Sequence, residues 1–535
     1  KAVSLYALLW GIIGFMSAIE GIPRSVILIN WLLVVLSIGG LRMIARWILS
    51  GENNLSEQRK VIIYGAGSAG RQLANALLQS IEYTPVSFID DDQDLIHQYI
   101  NGVKVSSIDS IESLIQKHNI SEILLALPSI SRKRRNEIID FLEYYPVLVR
   151  ILPGVSELAQ GKVEVEDLRE VSIEDLLGRE SVKPDKFLLQ ENVKGRVVMV
   201  TGAGGSIGSE LCRQIIKLGA SKLILFEQSE LALYKINQEL PKNNVFPILG
   251  SVGNQDRVER VCKKFGVKTI YHAAAYKHVP MVEFNSTEGV VNNTFGTLKC
   301  AQAAINSYVE TFVLISTDKA VRPTNTMGAS KRSSEMVLQA LSDEQNTTKF
   351  IMVRFGNVLN SSGSVIPLFK DQIKAGGPVT VTSKEIVRYF MTMPEAVELV
   401  IQAGAMGKGG EVFVLDMGKA VKIFDLATKM IHLSGLEVKN ELNPDGDIEI
   451  NITGLRPGEK LFEELLIGDN VSKTKHPMIM RAQEEMLPWG ELSVILRSLE
   501  GALKESNQEA LRSLLMQIVP GFKPQCGIED ILYKK

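Results

Sequence analysis

Cysteine is scarce in this chain: Cys212, Cys262, Cys300 and Cys526 are the only four among 535 residues, and no two stand close enough to form a CxxC pair. The six histidines show no HExxH spacing. Neither a zinc site nor a disulfide framework is expected, no metal is expected, and reduced thiols fit a cytosolic compartment. Excess charge of one sign is absent too, since 59 Lys and Arg face 61 Asp and Glu for a formal charge of −2. No overall field draws such a chain to nucleic acid, and any electropositive site must be local. A single core rarely grows past roughly 250 to 300 residues, so this length implies more than one domain.

Charge is missing altogether from two stretches near the start. Val3–Ile19 and Val26–Leu41 are uncharged apolar runs joined by Glu20-Gly-Ile-Pro-Arg24. Each has about the minimum length needed to cross a hydrocarbon core. Arg42, Arg46, Arg59 and Lys60 follow. Residues 1–50 are therefore expected to form a transmembrane hairpin, with everything downstream on the cytoplasmic side of a cell membrane. The chain begins with Lys1 rather than Met, and earlier spans are expected to have been lost.

Two glycine turns organise the remainder. Lys60-Val-Ile-Ile-Tyr-Gly-Ala-Gly-Ser-Ala-Gly-Arg71 reads as strand, turn and helix with GxGxxG spacing, and Asp90, Asp91 and Asp92 follow the next strand. Residues 58–152 are expected to form a small parallel α/β domain in which ligand binding and a purely structural glycine turn are equally weighted. Residues 153–192 read as a linker. The second turn, Val197-Val-Met-Val-Thr-Gly-Ala-Gly-Gly-Ser-Ile-Gly208, leads into a helix of apolar spacing. Gly202, Gly205, Ser206, Ile207 and Gly208 thus form a dinucleotide pocket, where backbone approaches a pyrophosphate and a helix N-terminus supplies N–H groups. Glu227, ending the strand Lys222–Phe226, can accept ribose hydroxyls and repel a 2′-phosphate, which favours NAD over NADP. Ala273, Ala274 and Ala275 end a later strand and let a cofactor lie close. A further strand delivers Thr317, Asp318 and Lys319, and the helix after it puts Met327 and Lys331 one turn apart. The fold class expected is α/β, two Rossmann-like doubly wound domains after the hairpin. The second of these, over 193–480, is followed by a helical region over 481–535. In that region Leu496, Leu499, Leu503, Leu511, Leu514 and Leu515 make an apolar stripe suited to packing or to contact within a homo-oligomer.

From about Val163 to Met480 the chain resembles an extended short-chain dehydrogenase/reductase, and more closely the membrane-anchored bacterial nucleotide-sugar 4,6-dehydratases. The stretches that carry the resemblance are Glu174-Asp-Leu-Leu-Gly-Arg179, Thr201–Gly208, Tyr271-His-Ala-Ala-Ala-Tyr-Lys-His-Val-Pro280, Ser316-Thr-Asp-Lys-Ala320 and Leu455-Arg-Pro-Gly-Glu-Lys460. The resemblance implies a multi-pass protein of the bacterial inner membrane that acts on UDP-N-acetylglucosamine. It implies a cycle in which NAD stays bound: hydride leaves C4, water is lost across C5 and C6, and hydride returns to C6, giving a UDP-2-acetamido-2,6-dideoxy-4-hexulose. Asp318 would protonate the departing hydroxyl. Lys319 would remove the C5 proton if its pKa is lowered by burial beside Lys331, and Lys331 would contact the nicotinamide ribose. Thr317 would hold the substrate hydroxyl. Ser251, Val252 and Asn293 join the cofactor set, and Lys277, Asn357, Ser361, Val365, Arg388 and Arg456 the substrate set, with Arg suited to phosphate.

One departure concerns the base. The usual Tyr-x-x-x-Lys pair of the superfamily has Met327 at its first position, and a thioether takes no proton. The base for the C4 hydroxyl is left among Asp318, Lys319 and a water held by Thr317. Ser251 is a second departure, standing where related sequences have an Asp for adenine. His272 and His278 read as packing or hydrogen-bonding residues. A nucleotide-sugar 4-epimerase and a non-enzymatic membrane protein that senses nucleotide are the alternatives.

Overall fold

The computed structural model describes residues 58–128, 130–152, 168–171, 182–464 and 471–533, with helical residues 29, 31–38, 40 and 41. Most of the hairpin expected over 1–50 lies outside the described residues, as do 153–167 and 172–181 of the linker, Glu174–Arg179 included. Leu32, Leu33, Leu36 and Leu41 are exposed. Among the described residues no helix is long and apolar enough to cross a membrane. Contacts divide the chain into two units, residues 1–129 with 150–169, and residues 130–149 with 170–535.

In the first unit the strands Tyr99–Ile100, Val103–Ser106, Tyr83–Ile89, Arg59–Tyr64 and Glu122–Leu125 stand side by side in that order within a seven-stranded sheet. All but the edge hairpin pair in parallel. Val61, Ile63, Phe88 and Leu124 are fully buried, as strands covered on both faces require. A Cβ on Gly70 would stand 1.9 Å from the Gly65 carbonyl, so the glycine spacing lets the helix Ser68–Gln79 press onto the strand end. Asp90 Oδ2 accepts the Ala66 N–H at 2.6 Å, which closes the turn on itself.

The second unit is built on a nine-stranded sheet in the order Val245–Leu249, Lys222–Glu227, Val197–Thr201, Thr269–His272, Thr311–Ile315, Lys349–Arg354, Val412–Leu415, Ile479–Ala482, Val471–Lys473. The first seven run parallel and the last two are antiparallel additions. Strand order reverses between Val197–Thr201 and Thr269–His272. Such a switch point opens a crevice at the carboxyl ends of the strands. A smaller lobe with its own core, including Phe369, Val379, Phe390 and Ile431, carries the helices Val365–Lys374 and Ile423–Leu433. The apolar stripe of the C-terminal helices Trp489–Lys504 and Gln508–Ile518 is used within the chain. Leu496, Leu499, Leu503, Leu511 and Leu515 are buried in the same core as Met336 and Leu338.

Candidate active site

Gly202 takes a φ of +66° as the chain leaves the strand Val197–Thr201, a region that favours glycine. A Cβ there would stand 2.8 Å from Ala274 backbone, and a Cβ on Gly208 would stand 1.9 Å from the Gly202 carbonyl. The helix Ser206–Lys217 can therefore begin directly against two strand ends, and its N-cap residue, Gly205, offers no side-chain cap. A cavity of about 220 Å³ opens at this helix end, lined by Gly202, Gly204, Gly205, Phe226, Glu227, Gln228, Ala232, Gly250, Val252, Ala273, Ala274, Ala275, Tyr276 and Asn292. Glu227 braces the turn while lining the cavity. Its Oε2 accepts the Gly204 N–H at 3.0 Å, and its Oε1 accepts those of Gln228 and Ser229 at 2.9 Å.

Of the expected cofactor residues, Ser206, Ile207, Gly208, Ser251, Asn293 and Lys331 are not among those lining the cavity. Ser251 is exposed and outside the lining, because its hydroxyl accepts the Gly253 N–H at 3.2 Å. Asn293 is buried with its amide fully engaged: it accepts the Tyr276 N–H and donates to the Tyr276 carbonyl and to Ser330 Oγ. It pins the alanine segment to the long helix Thr326–Glu344 rather than facing the cavity. Its neighbour Asn292 faces the cavity instead. Val291–Phe295 is a π-turn, wider than an α-turn, and no sequence spacing announces it. Phe226, Gln228, Ala232, Gly250 and Tyr276 also line the cavity and lie outside the expected cofactor set. Ser206 and Ile207 are half-buried on the first turn of the helix, where Ser206 Oγ accepts the Ser362 N–H at 3.1 Å.

The strand Thr311–Ile315 delivers the reactive groups. Thr317 caps a single 3₁₀ turn, Asp318–Ala320, by accepting the Lys319 N–H, and its hydroxyl donates to Asp318 Oδ1 at 2.9 Å. Lys319 Nζ donates to the same oxygen at 3.0 Å and to Asn357 Oδ1 at 3.4 Å, and lies 3.3 Å from Glu463 Oε1. Both carboxylate side chains are almost wholly buried, at 2% exposed for Asp318 and 3% for Glu463. This corrects the expectation for Lys319. Burial alone would lower its pKa, yet the charges of Asp318 and then Glu463 outweigh burial and raise it above the usual lysine range. Lys331 is the lysine that burial lowers, to about 8. Its ammonium donates to the Ile315 carbonyl at 2.7 Å. Met327 is buried in the first turn of the helix Thr326–Glu344, which Asn325 caps by accepting the Gly328 N–H at 2.8 Å. A Cβ on Gly328 would stand 2.2 Å from the Lys319 carbonyl, so this glycine lets the helix meet the 3₁₀ turn.

Beneath this turn lies a buried ion cluster. Ser316 Oγ donates to Glu335 Oε1 at 2.6 Å, and Arg354 holds both Glu335 oxygens at 2.8 and 2.6 Å. Arg332 adds a second cation at 3.0 Å, and Glu484 completes the cluster against both arginines. His272 is buried between Thr201 Oγ1 at 2.8 Å and Thr297 Oγ1 at 3.1 Å. Burial, and then the Lys331 charge, push it down to about 3, so it is a neutral hydrogen-bonding residue.

The expected substrate residues divide. Asn357 meets Lys319, Ser361 is buried, and Val365 begins the helix Val365–Lys374. Lys277 and His278 are exposed on the loop after Thr269–His272. The surrounding protein and then the Lys319 charge hold Lys277 below the usual lysine range, and His278 is lowered by burial and then by Lys277. Arg456 is exposed. Arg388 is engaged within the chain. It donates to the carbonyls of Val387, Leu461 and Lys460 and to Glu459, so it ties down the segment containing Arg456. Lys460 does similar work from the other side, donating to the carbonyls of Val321 and Arg322. Glu463 lies outside the motifs read from the sequence, and its contact with Lys319 is closed only by the tertiary fold.

Residues 198–484 match the family model described as "Polysaccharide biosynthesis protein", and residues 2–153 match one described as "CoA-binding domain". The chain is 45% identical over 451 residues to the capsular polysaccharide biosynthesis protein CapD of Staphylococcus aureus, covering 82% of this chain and 74% of that one. It is 32% identical over 284 residues to a UDP-glucose 4-epimerase of Rickettsia rickettsii, covering 52% of this chain and 80% of that one. Among solved structures it is similar to Pen from Bacillus thuringiensis, at 32% identity and a TM-score of 0.50, over 56% of this chain and 92% of that one. With most of its length aligned to CapD and residues 198–484 matched by the family model, the chain belongs to the polysaccharide biosynthesis protein family.

Proposed function

We propose that the protein is a 4,6-dehydratase of UDP-N-acetylglucosamine, forming a UDP-2-acetamido-2,6-dideoxy-4-hexulose with NAD retained and returned oxidised. The observation that carries this reading is the buried Asp318–Lys319 pair, 3.0 Å apart at a strand end, in a site whose Tyr position holds Met327. NAD fits the glycine-lined cavity: Gly202 and Gly208 leave no room for side chains between the turn and the strand ends, and Glu227 opposes a 2′-phosphate. Gly202, Gly205, Glu227 and Ala273–Ala275 would hold it, with Lys331 at the nicotinamide ribose. Bound there, it supplies a hydride acceptor for C4 and a hydride donor for C6.

The chain's own residues handle protons. Asp318 is the acid for the departing C6 hydroxyl, and Lys319 the base for the C5 proton, which the 4-keto group acidifies. Thr317 orients Asp318 through its hydroxyl. Lys277 and Arg456 are exposed cations suited to the diphosphate. A second reading, nucleotide-sugar 4-epimerase, has the name of the Rickettsia relative in its favour. An epimerase, however, leaves C5 and C6 untouched and gives the Asp318–Lys319 pair no task.

The test is incubation of the detergent-solubilised protein with UDP-N-acetylglucosamine in deuterated water without reductant, followed by proton NMR. A 6-deoxy-4-keto sugar with deuterium at C5 is expected. A galacto-configured sugar with intact C6 would select the epimerase, and an unchanged sugar would refute both. We propose further that the catalytic unit works at the cytoplasmic face of the bacterial inner membrane. The two apolar runs within residues 3–41 and the basic residues after them support this.

A further inference from the structure

Glu463 stands at the reacting groups without a task in the scheme above. Its side chain is 3% exposed, and Oε1 lies 3.3 Å from Lys319 Nζ and 3.9 Å from Arg388 Nε. Oε2 is buried without a hydrogen-bond partner among the described residues. A buried carboxylate oxygen left unpartnered is costly, and most such groups are satisfied.

The proton count of the dehydration supplies a reason, and this step rests on the dehydratase reading. Two protons leave the sugar, from the C4 hydroxyl and from C5. Two are taken up, one by the departing C6 hydroxyl as water and one at C5 at the end. Asp318 must be protonated when the C6–O bond breaks, and as the anion of an ion pair it is the group open to the C4 hydroxyl proton. Once filled from that source it cannot also receive the proton that Lys319 carries. Lys319 must lose this proton before it can act on C5, and Glu463 is the other buried carboxylate at its ammonium.

We propose that Glu463 is the proton store for Lys319, accepting the ammonium proton across the 3.3 Å contact before C5 is deprotonated and returning it when the cycle closes. The N–H bond of Lys319 breaks and the O–H bond of Glu463 forms. The neutral amine takes the C5 proton, its N–H hydrogens exchange with solvent, it delivers one of them to C5 after C6 is reduced, and it then recovers a proton from Glu463. No outside donor or acceptor is required. Glu463 works through Lys319 and is therefore a positioning residue. The charged groups facing Lys319 are Asp318 beside it, Glu463, Arg388 from the strand Val387–Met391 and Lys277 from the loop after Thr269–His272.

The test compares wild type and Glu463→Gln, which keeps shape but not the proton site. The readouts are turnover and, separately, exchange of the C5 hydrogen of the 4-keto product into deuterated water, each from pH 6 to 10. With Glu463→Gln, both should fall by roughly 100-fold at pH 7, the scale of one general acid–base group, with the amount of bound NAD unchanged. Both should recover about tenfold per pH unit as hydroxide or solvent takes the proton instead. A loss that is flat with pH, or exchange within threefold of wild type at pH 7, would overturn the proposal. If Glu463→Gln loses its cofactor, Glu463→Asp decides: the proposal requires its exchange to keep a wild-type pH dependence, and a flat loss there refutes it. Wild-type protein that yields no 6-deoxy product would refute the dehydratase reading itself, whatever the variants do.

Discussion

Replacing Glu335 by Gln tests whether the buried ion cluster holds up the catalytic turn. Glu335 is wholly buried, bonded by Arg354 at 2.8 and 2.6 Å, by Arg332 at 3.0 Å and by Ser316 at 2.6 Å. Burial alone would raise its pKa, but the Arg354 charge and hydrogen bonds, then Arg332 and Ser316, bring it down to about 2. Against an unfolded value of about 4.3, that difference corresponds to stabilisation on the order of 3 kcal/mol at pH 7. It agrees with the roughly 3 to 5 kcal/mol expected when one partner of a buried pair is removed and the other charge is stranded. For a unit of this size the melting temperature should fall by about 5 °C or somewhat more. The sign with pH is fixed. A depressed carboxylate contributes stability that is present above its unfolded pKa and lost as pH falls through its folded pKa, so the gap between wild type and Glu335→Gln should close between about pH 4 and pH 2. Thermal melts followed by near-ultraviolet circular dichroism at pH 7, 5 and 3 make the measurement. A shift below about 1 °C at pH 7, or one that persists unchanged at the acid end, would refute the reasoning.

Lys319→Ala and Asp318→Asn should each abolish formation of the 6-deoxy sugar while leaving bound NAD at the wild-type amount, checked by NMR of the product and absorbance of released cofactor. Gly208→Ala should strip the cofactor, since its Cβ would stand 1.9 Å from the Gly202 carbonyl, and ultraviolet spectra of the purified variant will show it. Lys331→Met should stop turnover yet raise the melting temperature at pH 7 by a few degrees. Burial holds Lys331 at about 8, so the folded state bears the penalty of a buried cation below that pH, and the gain should vanish by about pH 10. Met327→Ala should lower turnover by less than about tenfold, because a thioether takes no proton; a loss as deep as that of Lys319→Ala would give Met327 a role the scheme lacks.

Much of the second unit was legible because its signals are local. Gly202, Gly205, Gly208 and Glu227 lie within one strand, turn, helix and strand, where backbone geometry dictates residue type, and all but Gly208 line the cavity. Gly208 serves by letting the helix in. Thr317, Asp318 and Lys319 likewise come together because they are consecutive at a strand end. What spacing could not reveal are contacts closed by the tertiary fold. Glu463 reaches Lys319, and Arg388 is engaged by the carbonyls around Lys460, through separations of 72 residues or more. The expectation of a lowered pKa for Lys319 weighed burial and Lys331 but not the charge of its neighbour Asp318, which raises it most, nor that of Glu463, which only the tertiary fold brings in. Asn293, which the resemblance puts at the cofactor, is held by Tyr276 and Ser330 while Asn292 lines the cavity, and both lie on the π-turn Val291–Phe295.

Met327 and the Asp318–Lys319–Glu463 cluster belong to one electrostatic arrangement. A tyrosinate at position 327 would place an anion one helical turn from Lys331 and stabilise its cation. With a thioether there, Glu335 is the acidic group that raises Lys331, and Arg354 and Arg332 already hold that carboxylate. Burial therefore wins, and Lys331 is drawn down to about 8. Across the site the balance is reversed. Lys319 stands between two buried carboxylates, whose charges outweigh burial and raise its pKa. Negative charge that a tyrosine would bring to the long helix is found instead at the end of the strand Thr311–Ile315. On the proposed dehydratase reading, a site so arranged is suited to moving protons at C5 and C6, the steps assigned to Lys319 and Asp318, rather than to holding a lone base at C4. That distribution follows from the residue at 327 together with the carboxylate at 463, and neither position alone would produce it.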